Sequence, residues 1–176
     1  MAEGTKGIQE MTDALLFERW FGCSIDKLRE LPTGDGAFAA LMIAIPLYER
    51  YIIAKLKLAG DPTEDPNVQY AIGNDLRLDE RQRRVFWDTF RNGFMHQGMA
   101  KGGKTKWMIS HIFGEVPEFR TFAGEEYICL DPWKFADRVL AQFRADHRLI
   151  TASESFPWAG VSFVPHELIQ SNGTRV

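Results

Sequence analysis

The chain has 176 residues, 45% hydrophobic and 26% charged, the proportions of one globular domain, and its 13 Phe, 5 Trp and 4 Tyr supply enough apolar surface for a core, which excludes disorder and collagen-like repetition. Two cysteines, Cys23 and Cys129, in no Cys-x-x-Cys spacing, exclude a disulfide framework and a cysteine-based zinc site and point to a reducing compartment. A net charge of −3 and a pI near 5.8 exclude a uniformly basic surface, though not a locally basic one.

Met1 to Lys6 contain no apolar signal core. The longest apolar run, Ala37 to Tyr48, is interrupted by Pro46 and falls short of the about 20 residues that a spanning helix needs. The expectation is a cytoplasmic protein with no membrane segment. Thr12-Asp13 predicts the N-cap of a short helix through Leu15, Leu16, Phe17, Trp20 and Phe21, and Ser24 a second short turn before Pro32. Phe38, Leu41, Met42, Ile45, Ile52 and Leu56 recur at helical spacing, predicting a long helix from about Gly36 to Ala59 that Pro46 kinks and Gly60-Asp61-Pro62 stops. A loop over Asp61 to Asn67 leads into a short helix over Asn67 to Leu78, weakened by Gly73. Asp79 then caps a second strong helix through Val85, Phe86, Phe90 and Phe94 toward Gly98, with Gly102-Gly103 beyond it as the stop. Trp107 to Ile109 and Tyr127 to Leu130 read as short strands of a β-hairpin or small sheet. Asp131-Pro132 opens a last strong helix with Phe135, Val139, Leu140 and Phe143 on its apolar face. The domain therefore spans 1–150, with a β-rich insertion at about 106–130 and a docked or partly flexible tail at 151–176.

Charge is uneven along the chain. Between Arg81 and Lys106 stand seven basic residues (Arg81, Arg83, Arg84, Arg91, Lys101, Lys104 and Lys106) and one acid, Asp88. Such a segment is either a solvated helix face with a lysine-rich loop or a phosphate-binding surface. The familiar phosphate-loop, dinucleotide, metalloprotease and serine-hydrolase motifs are absent. His96, His111, His147 and His166 show no metal-ligand spacing, so neither a metal nor a cofactor is expected. Trp107, Trp133 and Trp158 read as core or tail-docking anchors rather than base-stacking platforms, and His111, His147 and His166 as surface or hydrogen-bonded residues rather than ligands.

On the second strong helix, steps of four residues advance about 400°, so Arg84, Asp88, Asn92 and His96 form one polar stripe, and Phe86, Phe90 and Phe94 another, about 200° away. His96 thus faces solvent or a partner, and Arg91 flanks the stripe. Gly93 inside the helix marks a close backbone approach or a local irregularity. Glu49 falls within the apolar stripe of the preceding long helix, where a carboxylate needs a partner. Either an arginine of the other long helix, Arg91 for instance, supplies a bidentate one, or the kink at Pro46 turns Glu49 to the edge, toward water or Arg50.

The run Arg91-Asn92-Gly93-Phe94-Met95-His96 resembles the signature of HEPN-domain proteins, in which an Arg, commonly followed by a polar residue, precedes a His by four to six residues. With the order of helices, the resemblance covers about Ala37 to Arg148. It implies a mainly α fold, a HEPN-like helical bundle that dimerises, here with a small β-hairpin insertion before the last long helix. It further implies a metal-independent endoribonuclease of toxin or antiviral-defence type, cutting RNA at a site composed by two chains. In that scheme His96 is the acid/base, Arg91 the phosphate clamp, Asn92 an orienting hydrogen-bonder and Glu49 a support for Arg91, while Arg81, Arg84, Lys101, Lys104 and Lys106 hold the RNA. An antitoxin or regulatory protein is a further partner of that type. Two features depart from the family: Gly98 stands where toxins paired with a nucleotidyltransferase antitoxin carry a Tyr, and the β-rich stretch is foreign to a plain bundle. The alternative is a catalytically silent HEPN-like module that binds RNA or protein.

Overall fold

The structure is a computed structural model and describes residues 13–101 and 103–151; the expected tail, with Trp158 and His166, lies outside them but for Thr151. The chain is mainly helical with one small sheet. Helix α1 covers residues 13–29 and contains a π turn at Glu18–Gly22. The two short elements expected around Phe17 and Ser24 are therefore one helix, because Ser24 lies within it and caps nothing. A 3-10 turn, Pro32–Gly34, leads to α2, Gly36–Ala59. Helix α2 runs unbroken through Pro46 and buries Leu41, Ala44, Ile45, Tyr48 and Ile52. It is the one helix among the described residues long and apolar enough to cross a membrane, and half of that stretch is buried within the fold.

Helix α3 is Asp65–Leu76, and α4 covers residues 80–97. A capping box starts α4: the Asp79 carboxylate accepts from the Gln82 amide at 2.8 Å, and the Gln82 side chain accepts from the Asp79 amide at 3.1 Å. The helix ends at Gly98, whose φ is +64°, one turn before the Gly102-Gly103 pair expected to stop it. Three strands follow, β1 (Lys106–Ile109), β2 (Glu118–Phe122) and β3 (Glu125–Leu130). Asp131 then caps α5, Pro132–Ala145, by accepting from the amides of Trp133 and Lys134, and the short α6, Arg148–Thr151, completes the described chain.

The β-rich stretch is a three-stranded sheet in the order β1-β3-β2. The strands expected to form the hairpin, β1 and β3, are parallel, with Trp107 opposite Ile128. The hairpin is made by β2 and β3 around Ala123-Gly124, both at positive φ, the turn geometry whose twist matches that of the strands. A parallel pair cannot share a tight turn, so the chain crosses to the far side of β3 before pairing back.

The core forms where α2 meets α5, α1 and α4. The Tyr48 and Phe135 rings meet edge-on at 5.4 Å, Tyr51 and Phe143 at 5.9 Å, and Phe17 and Phe143 pack at 5.0 Å. Phe86, Phe90 and Phe94 form the aromatic stripe expected of α4, and Phe94 meets Phe38 of α2 at 5.5 Å. Phe38 also reaches Trp107, so the sheet packs on the same core. Polar groups are drawn in with partners: the buried Tyr48 hydroxyl donates to Asp75 at 2.6 Å, and Arg138 of α5 donates to the same carboxylate oxygen at 3.0 Å.

Candidate functional site

The turn Trp87–Asn92 of α4 is a π turn. A π turn carries one residue more than an α turn and frees a carbonyl from the helical ladder. Here the Thr89 carbonyl accepts from the backbone N–H of Lys101 at 2.8 Å. The segment after Gly98 is thereby folded back along α4, and it lies so close that a Cβ on Gly93 would stand 2.6 Å from both the Met99 carbonyl oxygen and the Lys101 nitrogen. Gly93 thus marks both things its position suggested: a close backbone approach, beside an irregular turn.

Arg91 projects from this turn onto α2. Its Nε donates to Glu49 Oε2 at 3.1 Å and its Nη2 to Glu49 Oε1 at 3.0 Å. The side chains of Arg91 and Glu49 are only 22% and 14% exposed. Of the two placements open for Glu49, the structure shows the pairing with Arg91. Nη1 donates to Asn92 Oδ1 at 3.1 Å, Asn92 Nδ2 donates to Asp88 Oδ1 at 3.0 Å, and the guanidinium lies 4.8 Å from the centre of the Trp87 ring. The hydrogen bonds that Arg91 donates to Glu49 raise its pKa above the ordinary value, and a guanidinium is a permanent cation in any case. Three of its five N–H groups are engaged, leaving one on each terminal nitrogen.

His96 lies one turn further, exposed and without a hydrogen-bond partner among the described residues. The structure therefore does not bring Arg91 and His96 of one chain together: the guanidinium is drawn toward α2 while the imidazole faces outward. Met95 and Met99 flank it, 54% and 52% exposed.

The basic residues fall into two groups. Arg81 is held by Glu126, Arg84 by Glu80 and Lys106 by Glu125, and Arg83 lies over the Tyr70 ring. Of the basic residues from Arg81 to Lys106, Lys101 and Lys104, both exposed, are the two with neither a carboxylate nor a ring partner among the described residues. Both line a cleft of about 230 Å³ with Asp88, Thr89 and Thr105. The sequence reading gave Asp88 and Trp87 no role at the site. Their signal was present in the spacing, since Asp88 precedes Asn92 by four residues and Trp87 precedes Arg91 by four, the interval that stacks side chains on a helix face.

Among the described residues no three of His, Cys, Asp and Glu gather as metal ligands would. Trp107 and Trp133 are half-buried, the latter under Arg29, and His111 and His147 are exposed. No protein-family model matches the chain, and no curated protein or solved structure is similar enough to it to count as a match.

Proposed function

We propose that the protein is a HEPN-like, metal-independent endoribonuclease of toxin or defence type whose active site is completed by a second copy of the chain. The observation that carries this reading is the fixing of Arg91 by Glu49, Asn92 and Trp87, one turn before an exposed His96. Cleavage needs a base to take the proton of a ribose 2′-hydroxyl as its oxygen attacks the adjacent phosphorus. It also needs an acid to protonate the departing 5′-oxygen, leaving a 2′,3′-cyclic phosphate and a 5′-hydroxyl. Imidazole suits both proton transfers near neutral pH. A permanent guanidinium with two unused N–H groups suits the charge building on the phosphorane. Each chain carries one imidazole at the end of α4 beside the Arg91 turn, so a site with two proton-transfer groups there takes two chains, and a two-fold axis near the end of α4 would provide them. The exposed methionines beside His96 support an apolar contact there.

A silent RNA- or protein-binding module is the second reading, favoured by the pairing of Arg81, Arg84 and Lys106 with acids of their own chain. One experiment separates the two. Mixed tRNA and mRNA are incubated in excess EDTA with wild type, His96→Ala and Arg91→Lys. The nuclease reading expects cyclic-phosphate ends from wild type and a loss of cleavage in both variants. RNA retained without turnover supports the silent module, and cleavage undiminished in His96→Ala rules out the assigned chemistry.

A further inference from the structure

We infer that the cleft between α4 and the loop after it is a ribonucleotide-reading subsite, which holds an RNA phosphate between Lys101 and Lys104 and a ribose 2′-hydroxyl on Asp88. The inference rests on RNA being the substrate of the proposed nuclease. Its first support is selective availability. Of the seven basic side chains between Arg81 and Lys106, four are ion-paired within the chain and Arg83 lies over Tyr70; the two without such partners among the described residues line the same cleft.

The second support is placement. The hydrogen bond from the Lys101 amide to the Thr89 carbonyl ties the base of this side chain to the π turn that carries Arg91. The lysine that would hold the phosphate is thus anchored through its backbone to the turn that carries the proposed catalytic group.

The third support is Asp88. Its carboxylate is exposed on the cleft, with Oδ1 accepting from Asn92 and Oδ2 without a partner among the described residues. A carboxylate beside a phosphate is repulsive unless the ligand brings a donor to it. The sugar hydroxyl neighbouring a phosphodiester is that donor in RNA, and DNA lacks it. Asn92 bridges Asp88 to Arg91, so the hydroxyl-reading group and the phosphate clamp share one hydrogen-bonded chain.

The test measures binding of full-length His96→Ala protein to fluorescein-labelled RNA, 2′-O-methyl RNA and DNA of one sequence in EDTA. RNA is expected to bind about ten- to a hundred-fold tighter than either analogue, the effect of one hydrogen bond to a charged group. Adding Asp88→Ala is expected to weaken RNA binding, leave DNA binding unchanged or tighter, and so erase the preference. Asp88→Asn, which keeps a hydrogen-bonding side chain next to Asn92, guards against a folding artefact and is expected to reduce the preference partly. Lys101→Ala with Lys104→Ala is expected to weaken all three ligands and flatten the salt dependence by about 0.7 per lost contact. Equal binding of RNA and DNA, a preference that survives Asp88→Ala, or a double lysine variant that binds as its parent does overturns the subsite. If the preference behaves as expected while wild type cleaves nothing, the subsite stands and the nuclease reading falls; cleavage without the preference has the opposite meaning.

Discussion

The backbone N–H of Lys101 donates to the carbonyl of Thr89 at 2.8 Å, within the π turn of α4. This bond joins two parts of the site that lie far apart in chemical role: the turn that aims Arg91 at Glu49, and the loop that presents Lys101 and Lys104. Between them stands Gly93, buried under the returning backbone where a Cβ would collide with it. The irregular turn, the glycine and the returning loop are one structural unit.

Replacing Gly93 by Ala tests that unit. In an ordinary helix the change is stabilising by about 1 kcal/mol. Here the new methyl would meet backbone atoms at 2.6 Å, which no rotamer change relieves. We expect a net loss of about 1–3 kcal/mol in urea melts and faster hydrogen exchange at the Lys101 amide. A variant as stable as wild type would show that the loop is free to move off α4.

Glu49→Gln leaves the shape of the α2 side chain and removes its charge. The guanidinium of Arg91, little exposed, then keeps a neutral acceptor where it had a carboxylate, and we expect a loss of about 1–3 kcal/mol. Under the proposed mechanism the same change lets the clamp drift and lowers cleavage about ten- to a hundred-fold. Arg91→Lys should keep the cation yet lose the two parallel hydrogen bonds, since an ammonium cannot form the fork. Comparing urea midpoints with cleavage rates separates the two effects. A Glu49→Gln protein with wild-type stability and cleavage rate would reduce the pair to a bystander.

The helices that carry the site were legible in sequence because each states its start and its face. Asp79 and Asp131 cap α4 and α5, and Phe86, Phe90 and Phe94 mark the inward side of α4. Strand β2 was not legible, because Glu118-Phe119-Arg120-Thr121-Phe122 is half exposed and has no run of apolar residues. The π turns were hidden for another reason: an added residue within one turn alters hydrogen bonding without altering composition, and only Gly93 hinted at it. Pairing across the chain was legible only as alternatives. Glu49 was a candidate for Arg91, but Glu126 lies 45 residues from Arg81, and nothing local in either segment names the other. The Glu80–Arg84 pair was readable from its spacing of four, and Arg84 was nevertheless assigned to RNA.

The Tyr48 hydroxyl gives a stability signature at alkaline pH. Burial pushes its pKa well above the tyrosine range, and the Asp75 carboxylate beside it adds to the effect. The folded chain therefore keeps this proton at a pH where the unfolded chain has released it. The contribution is complete below about pH 10 and is lost as pH rises beyond it, at no more than about 1.4 kcal/mol per pH unit. Tyr48→Phe removes one hydrogen bond to Asp75, which Arg138 still holds, and should cost about 1 kcal/mol at pH 8. By pH 11 the gap between wild type and variant should close or reverse. Melting curves of both proteins at the two pH values cancel the titration of the other tyrosines and lysines, and a constant gap would mean that Tyr48 ionises as readily folded as unfolded.

Met95 and Met99 test whether a second chain completes the site. Both stand more than half exposed on either side of His96, and neither takes part in the buried core. Changing both to Glu should therefore leave the melting temperature of the monomer fold nearly unchanged, as surface substitutions do. In a dimer built across the end of α4, the same change places four like charges around the axis. We expect sedimentation velocity to show wild type as a dimer and the double variant as a monomer, with cleavage lost in step, because the two imidazoles no longer meet. Arg91 remains clamped by Glu49 in such a monomer, so the loss of activity would belong to assembly and not to the clamp. A wild type that sediments as a monomer while it cleaves RNA would refute the composite site and require both proton transfers to be found within one chain.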